Sequence, residues 1–511
     1  MNETFEYMYA APATSRITIF PCSRICLLKA FGLLAFILLH GPRSHAQSDT
    51  AKDAKVFRAG ASVSNITPAL GGGIVGNFGN PPPAKYIHDQ LHARCLVLDD
   101  GETQLAFAIV DNVGIKREVF DEAKRMVQLA TGLPQEQMLM ASTHTHSATS
   151  AGGVGAKRMS FTDDQPLDEY QRFVASRIAD GIQVAMKNLE PARIGWGSGL
   201  VPQHLFNRRW IMKPGTPIPN PFGGQDKVMM NPGVGNPNLL KPAGPTDPEV
   251  CFMSIQSKKG RPIALLANYS LHYVGGVPNN DISADYFAMF ADKMQELLKA
   301  DRQDPPFVGV MSNGTSGDVN NINVKRSKES NPPYTKMRLV ADDVAKEVFR
   351  VYNTIQHRDW VRLQAAQSEL KLQVRKPTPE MMANAEKVLA KPTDAALFHR
   401  NERDYATRTL QVQKEWPDQI VVILQAFRIG EFGIAAIPFE TFTQTGLEIK
   451  ARSPFKPTFT IELANGSYGY LPTPEQHVLG GYETWLGTNR VETEASRKIT
   501  TKLLELFSKL K

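Results

Sequence analysis

Met138-Leu139-Met140-Ala141-Ser142-Thr143-His144-Thr145-His146-Ser147 is the stretch from which the rest of the chain is best read. Its first four residues are apolar and predict a short buried strand. The polar string that follows lies at the strand's C-terminal end. In extended backbone, residues i and i+2 point to the same side. His144 and His146 are therefore expected to line one side of a cleft. Neutral imidazole is the commonest metal ligand, and zinc accepts it readily. Two ligands do not make a site, however. Two histidines in a polar turn, each bonded to backbone, account for the pair equally well.

Upstream, apolar runs predict strands at Ala93–Leu98 and Leu105–Val110, joined by the turn Asp99-Asp100-Gly101 as a hairpin. A helix follows over Lys116–Ala130 and ends at Thr131-Gly132, before Pro134. Strand, helix, strand in this order predicts a parallel pair with a crossover. Asp111 and Asn112 then fall just past a strand, where an open sheet places its ligand crevice. Downstream, Asp168–Leu189 is amphipathic and helical, and further strands are predicted at Cys251–Gln256, Pro262–Asn268, Phe307–Met311, Val361–Val374, Val421–Phe427, Phe432–Ile437 and Phe459–Leu463. Helices are expected at Ser283–Lys299, Lys336–Thr354 and Glu492–Leu510. The class is α/β: a large mixed-sheet domain with flanking helices over 57–511. Residues 202–248 hold ten prolines and form a loop-rich insertion, and 377–416 read as a charged helical hairpin starting at Pro377 and Ala395.

Composition narrows the function. The net charge is +7; residues 1–46 carry four Arg/Lys and two Asp/Glu, so about +5 remains without them. The charges are interspersed, with no Lys/Arg run, which argues against a nucleic-acid partner and allows only mild attraction to anionic surfaces, such as peripheral membrane contact. Arg16, Arg24 and Lys29 precede the apolar run Ala30–Leu39, and Ser44-His45-Ala46 gives a small-x-small cleavage pattern. Residues 1–46 are therefore expected to be a signal peptide that directs export to the periplasm or outside. An uncleaved N-terminal anchor remains the alternative. Beyond that segment only Cys95 and Cys251 remain, either paired or as two buried thiols. There is no Cys-x-x-Cys, hence no thiolate metal site, and no Gly-x-Ser-x-Gly elbow.

Thr143-His144-Thr145-His146-Ser147 resembles the string that opens the metal centre of the neutral/alkaline, non-lysosomal ceramidases. Four later stretches resemble that family in the same order. Asn207-Arg208-Arg209 is similar to its Asn-Arg-Ser string. Leu271-His272-Tyr273, followed by Gly275-Gly276 and Ser283-Ala284-Asp285, is similar to its second histidine segment. Pro438-Phe439-Glu440-Thr441-Phe442-Thr443 resembles its Pro-Gly-Glu-Phe-Thr string. Tyr470 and Tyr482 keep its separation of two active-site tyrosines, twelve residues. The loop Asn313-Gly314-Thr315-Ser316-Gly317-Asp318-Val319-Asn320-Asn321 resembles an Asn-x-Gly-Asp-x-Ser-Pro-Asn loop but carries Asn320 in place of its serine.

The resemblance implies a metallohydrolase domain. It implies a Zn2+ ion held by His144, His272, Glu440 and Tyr470, with Tyr468 as the rival tyrosine. His146 would act as general base/acid or orient substrate, with Arg208 (Arg209 competing) and Tyr482 stabilising the oxyanion. The substrate would be a small-molecule or lipid amide such as an N-acylsphingosine. The family's serine is a nucleophile or substrate-binding group. An amide cannot form an acyl-enzyme, so Asn320 implies attack by water, with Asn320 orienting substrate. The alternatives are an amidase or esterase on a non-ceramide substrate, or a binding relic that lost turnover. Chain length after the last motif leaves no room for the family's C-terminal β-sandwich domain. Oligomeric state is not legible.

Overall fold

The computed structural model describes residues 55–76, 79–152, 161, 166–326 and 330–511, within a single compact unit. The expected signal peptide lies outside the described residues. The large sheet runs Val308–Asn313, Pro262–Tyr269, Glu249–Ser257, Glu190–Leu200, Arg58–Asn65, His92–Asp99, Gln104–Val110, Met138–Ser142. Its interior pairs are antiparallel. The outermost pair at each edge is parallel: Gln104–Val110 with Met138–Ser142, and Pro262–Tyr269 with Val308–Asn313. The sheet is thus mixed, and the expected crossover forms through the helix Arg117–Thr131. That helix stops where Gly132 takes φ 78°, a conformation costly for a residue with a Cβ.

A second sheet runs Leu363–Gln373, Gln419–Ile429, Phe432–Ile437, Thr458–Glu462, its last pair parallel. The inner faces of the two sheets share one apolar core, in which Phe107, Ile109 and Leu139 meet Phe427, Phe432 and Phe459. Helices Arg117–Thr131 and Glu169–Lys187 cover half of the large sheet's outer face, and Asp285–Leu297 and Thr335–Tyr352 cover the other half. The C-terminal helix Ala495–Lys509 covers the second sheet from outside. The order of layers is helix, sheet, sheet, helix. Alternate strand residues face each layer, so most central strands read as continuous apolar runs. At Asp168 the helix Glu169–Lys187 starts with a reciprocal capping box with Gln171, worth ~1 kcal/mol. Ser283 acts differently from a simple cap: its hydroxyl accepts from Asp285 N and donates to Asp89.

The large sheet is curled enough that its edge strands, Met138–Ser142 and Val308–Asn313, come within 8 Å between Cα atoms. Thr458–Glu462 from the second sheet lies against both edges and against Pro262–Tyr269. The C-terminal ends of Met138–Ser142, Pro262–Tyr269, Val308–Asn313, Phe432–Ile437 and Thr458–Glu462 therefore gather in one place.

The insertion at 202–248 has its own small sheet, in the order Val228–Met230, Arg209–Met212, Leu239–Pro242, around Trp210, Met212 and Ile218. In the hairpin, Pro379–Leu389 packs on Glu402–Glu415 through Ala385, Val388 and Ala406. Its second helix starts at Glu402 rather than Ala395. Cys95 and Cys251 are buried free thiols, and burial pushes Cys95 up to about 12. This settles against pairing. Among the described residues no helix is long and apolar enough to cross a membrane.

Candidate metal centre

Beyond Met138–Ser142 the chain keeps its parallel path for two residues, with Thr143 N bonded to Val110 O and His144 N to Asn112 O, both at 2.9 Å. His144 then takes φ 73°. This corrects the expectation of simple strand alternation. The two imidazoles meet because the backbone turns left-handed at His144, at a cost of about 1–2 kcal/mol. Their rings lie perpendicular with centroids 4.6 Å apart. Thr145 Oγ1 donates to Ser283 O at 2.6 Å and Ser283 N donates to Ser147 O at 3.0 Å, which anchors the turn to the start of the helix Asp285–Leu297.

His272 enters from the far side of the curled sheet. The Nε2 atoms of His144 and His272 are 3.1 Å apart, and those of His146 and His144 are 3.2 Å apart. All three histidines form a cluster that could hold a metal ion. The hydrogen bonds at the other ring nitrogen decide what the Nε2 atoms are. His144 Nδ1 lies 2.5 Å from Val113 O, and His272 Nδ1 lies 3.2 Å from Ser316 O. A carbonyl only accepts, so each Nδ1 carries a proton, and in the neutral ring that leaves each Nε2 a bare lone pair. Two lone pairs facing each other at 3.1 Å repel unless a cation lies between them. Ligand nitrogens ~2.0–2.1 Å from a tetrahedral ion stand roughly 3.3 Å apart, close to what these rings present. His272 is held well below the ordinary histidine range, first by burial and then by His144, Arg208 and His146. A neutral imidazole is the form that binds metal.

Glu440 follows Phe432–Ile437 and pairs side by side with Tyr470 in a two-residue parallel ladder. Its Oε2 lies 3.4 Å from His144 Nε2 and meets no hydrogen-bond donor in good geometry. Burial raises this carboxyl's pKa, but His144, Tyr470 and Arg208 outweigh it and the net shift is downward. The Tyr470 phenol, pushed well above its ordinary value by burial, hydrogen-bonds Glu440. The donor set is therefore two or three imidazoles, a carboxylate and a phenol, which suits a borderline divalent ion such as zinc.

Arg208 lies over the Tyr470 ring, 5.3 Å from its centroid, and its Nε donates to Glu483 Oε1 at 2.8 Å. Arg209 points elsewhere: its Nη1 takes Glu483 Oε2 at 2.5 Å and its Nη2 takes Gly480 O at 2.6 Å. The Tyr482 ring stands 5.8 Å from that of Tyr470. Tyr468 lies apart from the imidazoles, against Phe161, Phe439 and Arg117.

Asn320 pairs with Phe206 in a short antiparallel ladder. Its carboxamide donates to Asn231 Oδ1 at 2.7 Å and accepts Ile322 N at 3.0 Å, so it holds the insertion against the loop. Ser312 and Ser316 are fully buried, and their hydroxyls donate to Ala267 O at 2.9 Å and Glu462 Oε1 at 2.7 Å. Neither is poised as a nucleophile.

Tyr273 and Asp318 were given no role in the sequence reading. Tyr273 stacks on His146, centroids 3.7 Å apart, and only its place beside His272 could have hinted at this. Asp318 accepts Thr443 N and Oγ1 at 2.9 Å and Asn207 Nδ2 at 2.9 Å. It thereby joins the segments bearing Glu440 and Arg208. Gly76, at φ 117°, leaves room where a Cβ would stand 2.7 Å from His146 Cβ. Gly76→Ala is expected to cost more than ~1 kcal/mol in urea unfolding, through strain and contact. It should also lower any turnover roughly 10-fold or more by moving His146. Unchanged values of both would show that the approach is unimportant.

One cavity borders the cluster, and a second lies beside Tyr482. One of about 140 Å³ reaches only His144 and Glu440 of this set and lies on the Val113 side, behind the His144 ring. The other, about 310 Å³, is walled by Tyr482, Trp485, Val228, Met229 and Met230, with Asn231 at its edge.

Fold and cluster define the class: a large mixed α/β protein with a histidine-based candidate metal centre where strand ends converge. More particularly, the chain belongs to the neutral/alkaline non-lysosomal ceramidase family, whose N-terminal model matches residues 57–337, more than half of the 511. Among solved structures it is similar to the neutral ceramidase of Pseudomonas aeruginosa, with a TM-score of 0.64 and 16% identity, covering 90% of this chain and 75% of that one. It is similar also to a ceramidase complexed with C2, with a TM-score of 0.64 and 15% identity, covering 89% and 75%. At such identities the structural likeness is one of fold. Family membership supports a ceramidase-like hydrolase.

Proposed function

We propose that the protein is an exported zinc-dependent hydrolase that cleaves the amide bond of a lipid amide, of which N-acylsphingosine is the leading candidate. The observation that carries this reading is the approach of the Nε2 atoms of His144 and His272, 3.1 Å apart beside Glu440, with each Nδ1 turned to a carbonyl. The family's substrate class supports the lipid part, as do Val228, Met229, Met230 and Trp485 in the 310 Å³ cavity beside Tyr482, which Asp226, His399 and Arg400 also line.

His144, His272, Glu440 and Tyr470 would hold the ion. When bound, zinc supplies a Lewis acid and lowers the pKa of a water molecule to ~7. Tyr470 would join as a phenolate, its proton released to solvent. His146 takes the water's proton as the new C–O bond forms, and returns it to the amide nitrogen as the C–N bond breaks. Tyr273 stacking and Gly76 fix the ring that does this. Arg208, aimed by Glu483, and Tyr482 face the carbonyl oxygen and stabilise the charge that develops there, roughly 3 kcal/mol per donor. The products are a fatty acid and an amine. With Asn320 engaged by Asn231 and Ile322, and Ser312 and Ser316 tied down, none of these three stands ready for acyl transfer.

Two further readings rest on specific residues. The 3.2 Å approach of His146 to His144 favours His146 as an additional ligand. Asn320, where the family has serine, favours a different amide or an ester. Metal analysis of the purified protein, paired with assays on a short-chain fluorogenic ceramide, a simple fatty amide and an ester, tests all of these. About one zinc per chain with ceramide cleavage supports the proposal. Zinc with cleavage of another substrate alone moves the substrate, and zinc without any turnover favours a binding relic. Absence of zinc and of turnover sinks the reading. His146→Ala should keep its zinc if His146 moves protons, and lose it if His146 is a ligand. Export follows from residues 16–46 alone, and N-terminal sequencing of the mature protein tests it: a start at Gln47 is expected.

A further inference from the structure

We infer that Glu462 is the positioning residue of the metal centre, a single buried carboxyl group that sets His272 and Glu440 relative to each other. The inference rests on the metal reading above. Glu462 ends the strand Thr458–Glu462 and has no exposed surface. Among the described residues no lysine or arginine pairs with it. Burying a carboxyl group without a cation is costly unless hydrogen bonds satisfy it. Four donors do so here. Oε1 accepts Ser316 Oγ at 2.7 Å and Asn313 Nδ2 at 3.0 Å, and Oε2 accepts Thr441 N at 2.7 Å and Ser316 N at 3.3 Å.

Each donor leads to a candidate ligand. Ser316 presents its carbonyl and its hydroxyl to His272 Nδ1 at 3.2 and 3.3 Å, so its position sets the tilt of that ring. Thr441 directly follows Glu440, and its N–H fixes where that residue leaves the strand. Asn313 pairs with Tyr269 at the end of the strand that delivers His272. The two ligands are 168 residues apart in sequence and follow strands of different sheets. Glu462, on a strand lying against both edges of the curled sheet, is the side chain that grips both. Outer partners of this kind orient the inner ligands, and their loss typically costs 10–100-fold in metal affinity.

Glu462→Gln tests this. The amide keeps shape and one acceptor, but it turns an N–H toward donors that need an acceptor. Apo wild type and variant are titrated with Co2+ alone, reading its visible absorption, after circular dichroism and thermal melting confirm the fold. The expected result is a Kd 10–100-fold weaker and a shifted cobalt spectrum. Ser316→Ala removes only the hydroxyl link, and should weaken Co2+ binding by a smaller factor. Asp100→Asn is the control. Asp100 is a buried carboxylate that accepts Glu102, Thr103 and Leu363 N–H groups at the opposite end of the large sheet. It should lower the melting temperature and leave Kd and spectrum unchanged. Wild-type Kd and spectrum in Glu462→Gln overturn the inference. So does a loss that Asp100→Asn reproduces at equal destabilisation. Failure of wild type itself to bind Co2+ overturns the metal reading, and the inference with it, and is read without any variant.

Discussion

His272→Ala is expected to release the metal and to lower hydrolysis on the order of 10³-fold or more. His272 is 1% exposed, and burial together with its neighbours keeps it neutral, so it has no other charge partner to serve. Without metal the substitution removes one of two lone pairs that face each other at 3.1 Å. The apo variant should therefore melt close to apo wild type, although a buried ring has been lost. Added zinc separates the two. A ligand that binds only the folded state stabilises it by RT ln(1 + [L]/Kd), ~4 kcal/mol at a thousandfold excess over Kd. Zinc should raise the melting temperature of wild type and leave that of His272→Ala where it was. Equal zinc responses in the two proteins would remove His272 from the centre.

Arg208→Ala and Arg209→Ala are expected to fail in different ways, although the residues are adjacent and share Glu483. Arg208 spends only its Nε on Glu483 and turns toward Tyr470 and Glu440. Burial disfavours its charge, but Tyr470, Glu483 and Glu440 hold it protonated. It is placed to act on developing negative charge, and its loss should lower kcat 10²–10³-fold. Glu483 would remain paired with Arg209, so the stability loss should be modest. Arg209 is 0% exposed and bonds Glu483, Gly480 and Gln476. Its loss leaves a buried carboxylate and a carbonyl with fewer donors and should cost ~3–5 kcal/mol in urea unfolding. Activity per folded molecule should fall less than in Arg208→Ala. The opposite split would exchange the two roles.

Element types were legible because their signals are local. Gly132 after an amphipathic run marks a helix end through backbone sterics, and a short apolar run after it marks a strand. The candidate ligands were legible because motif order survives divergence. Conformation at the site was less so. His144 stands at φ 73°, and only the parallel path along Val110–Asn112, followed by the anchor at Ser283, forces that turn. Tyr273 sits in an ordinary string, and its stacking on His146 depends on a contact between distant segments.

The sequence by itself determined the α/β class and most of the run of elements, and it pointed to an insertion, a hairpin and the histidines, glutamate, arginine and tyrosines worth watching. Tertiary structure alone decided which of them meet. A large sheet curls until its edges nearly touch, and strand ends far apart in sequence deliver three imidazoles to one point. It also gave Arg208 and Arg209, and Tyr470 and Tyr468, their different surroundings, since neighbours in sequence point to different places. Glu462 is the clearest case. In the sequence it is one acidic residue at the end of an apolar strand. Its meaning comes from four donors that only the folded chain brings to its two oxygens.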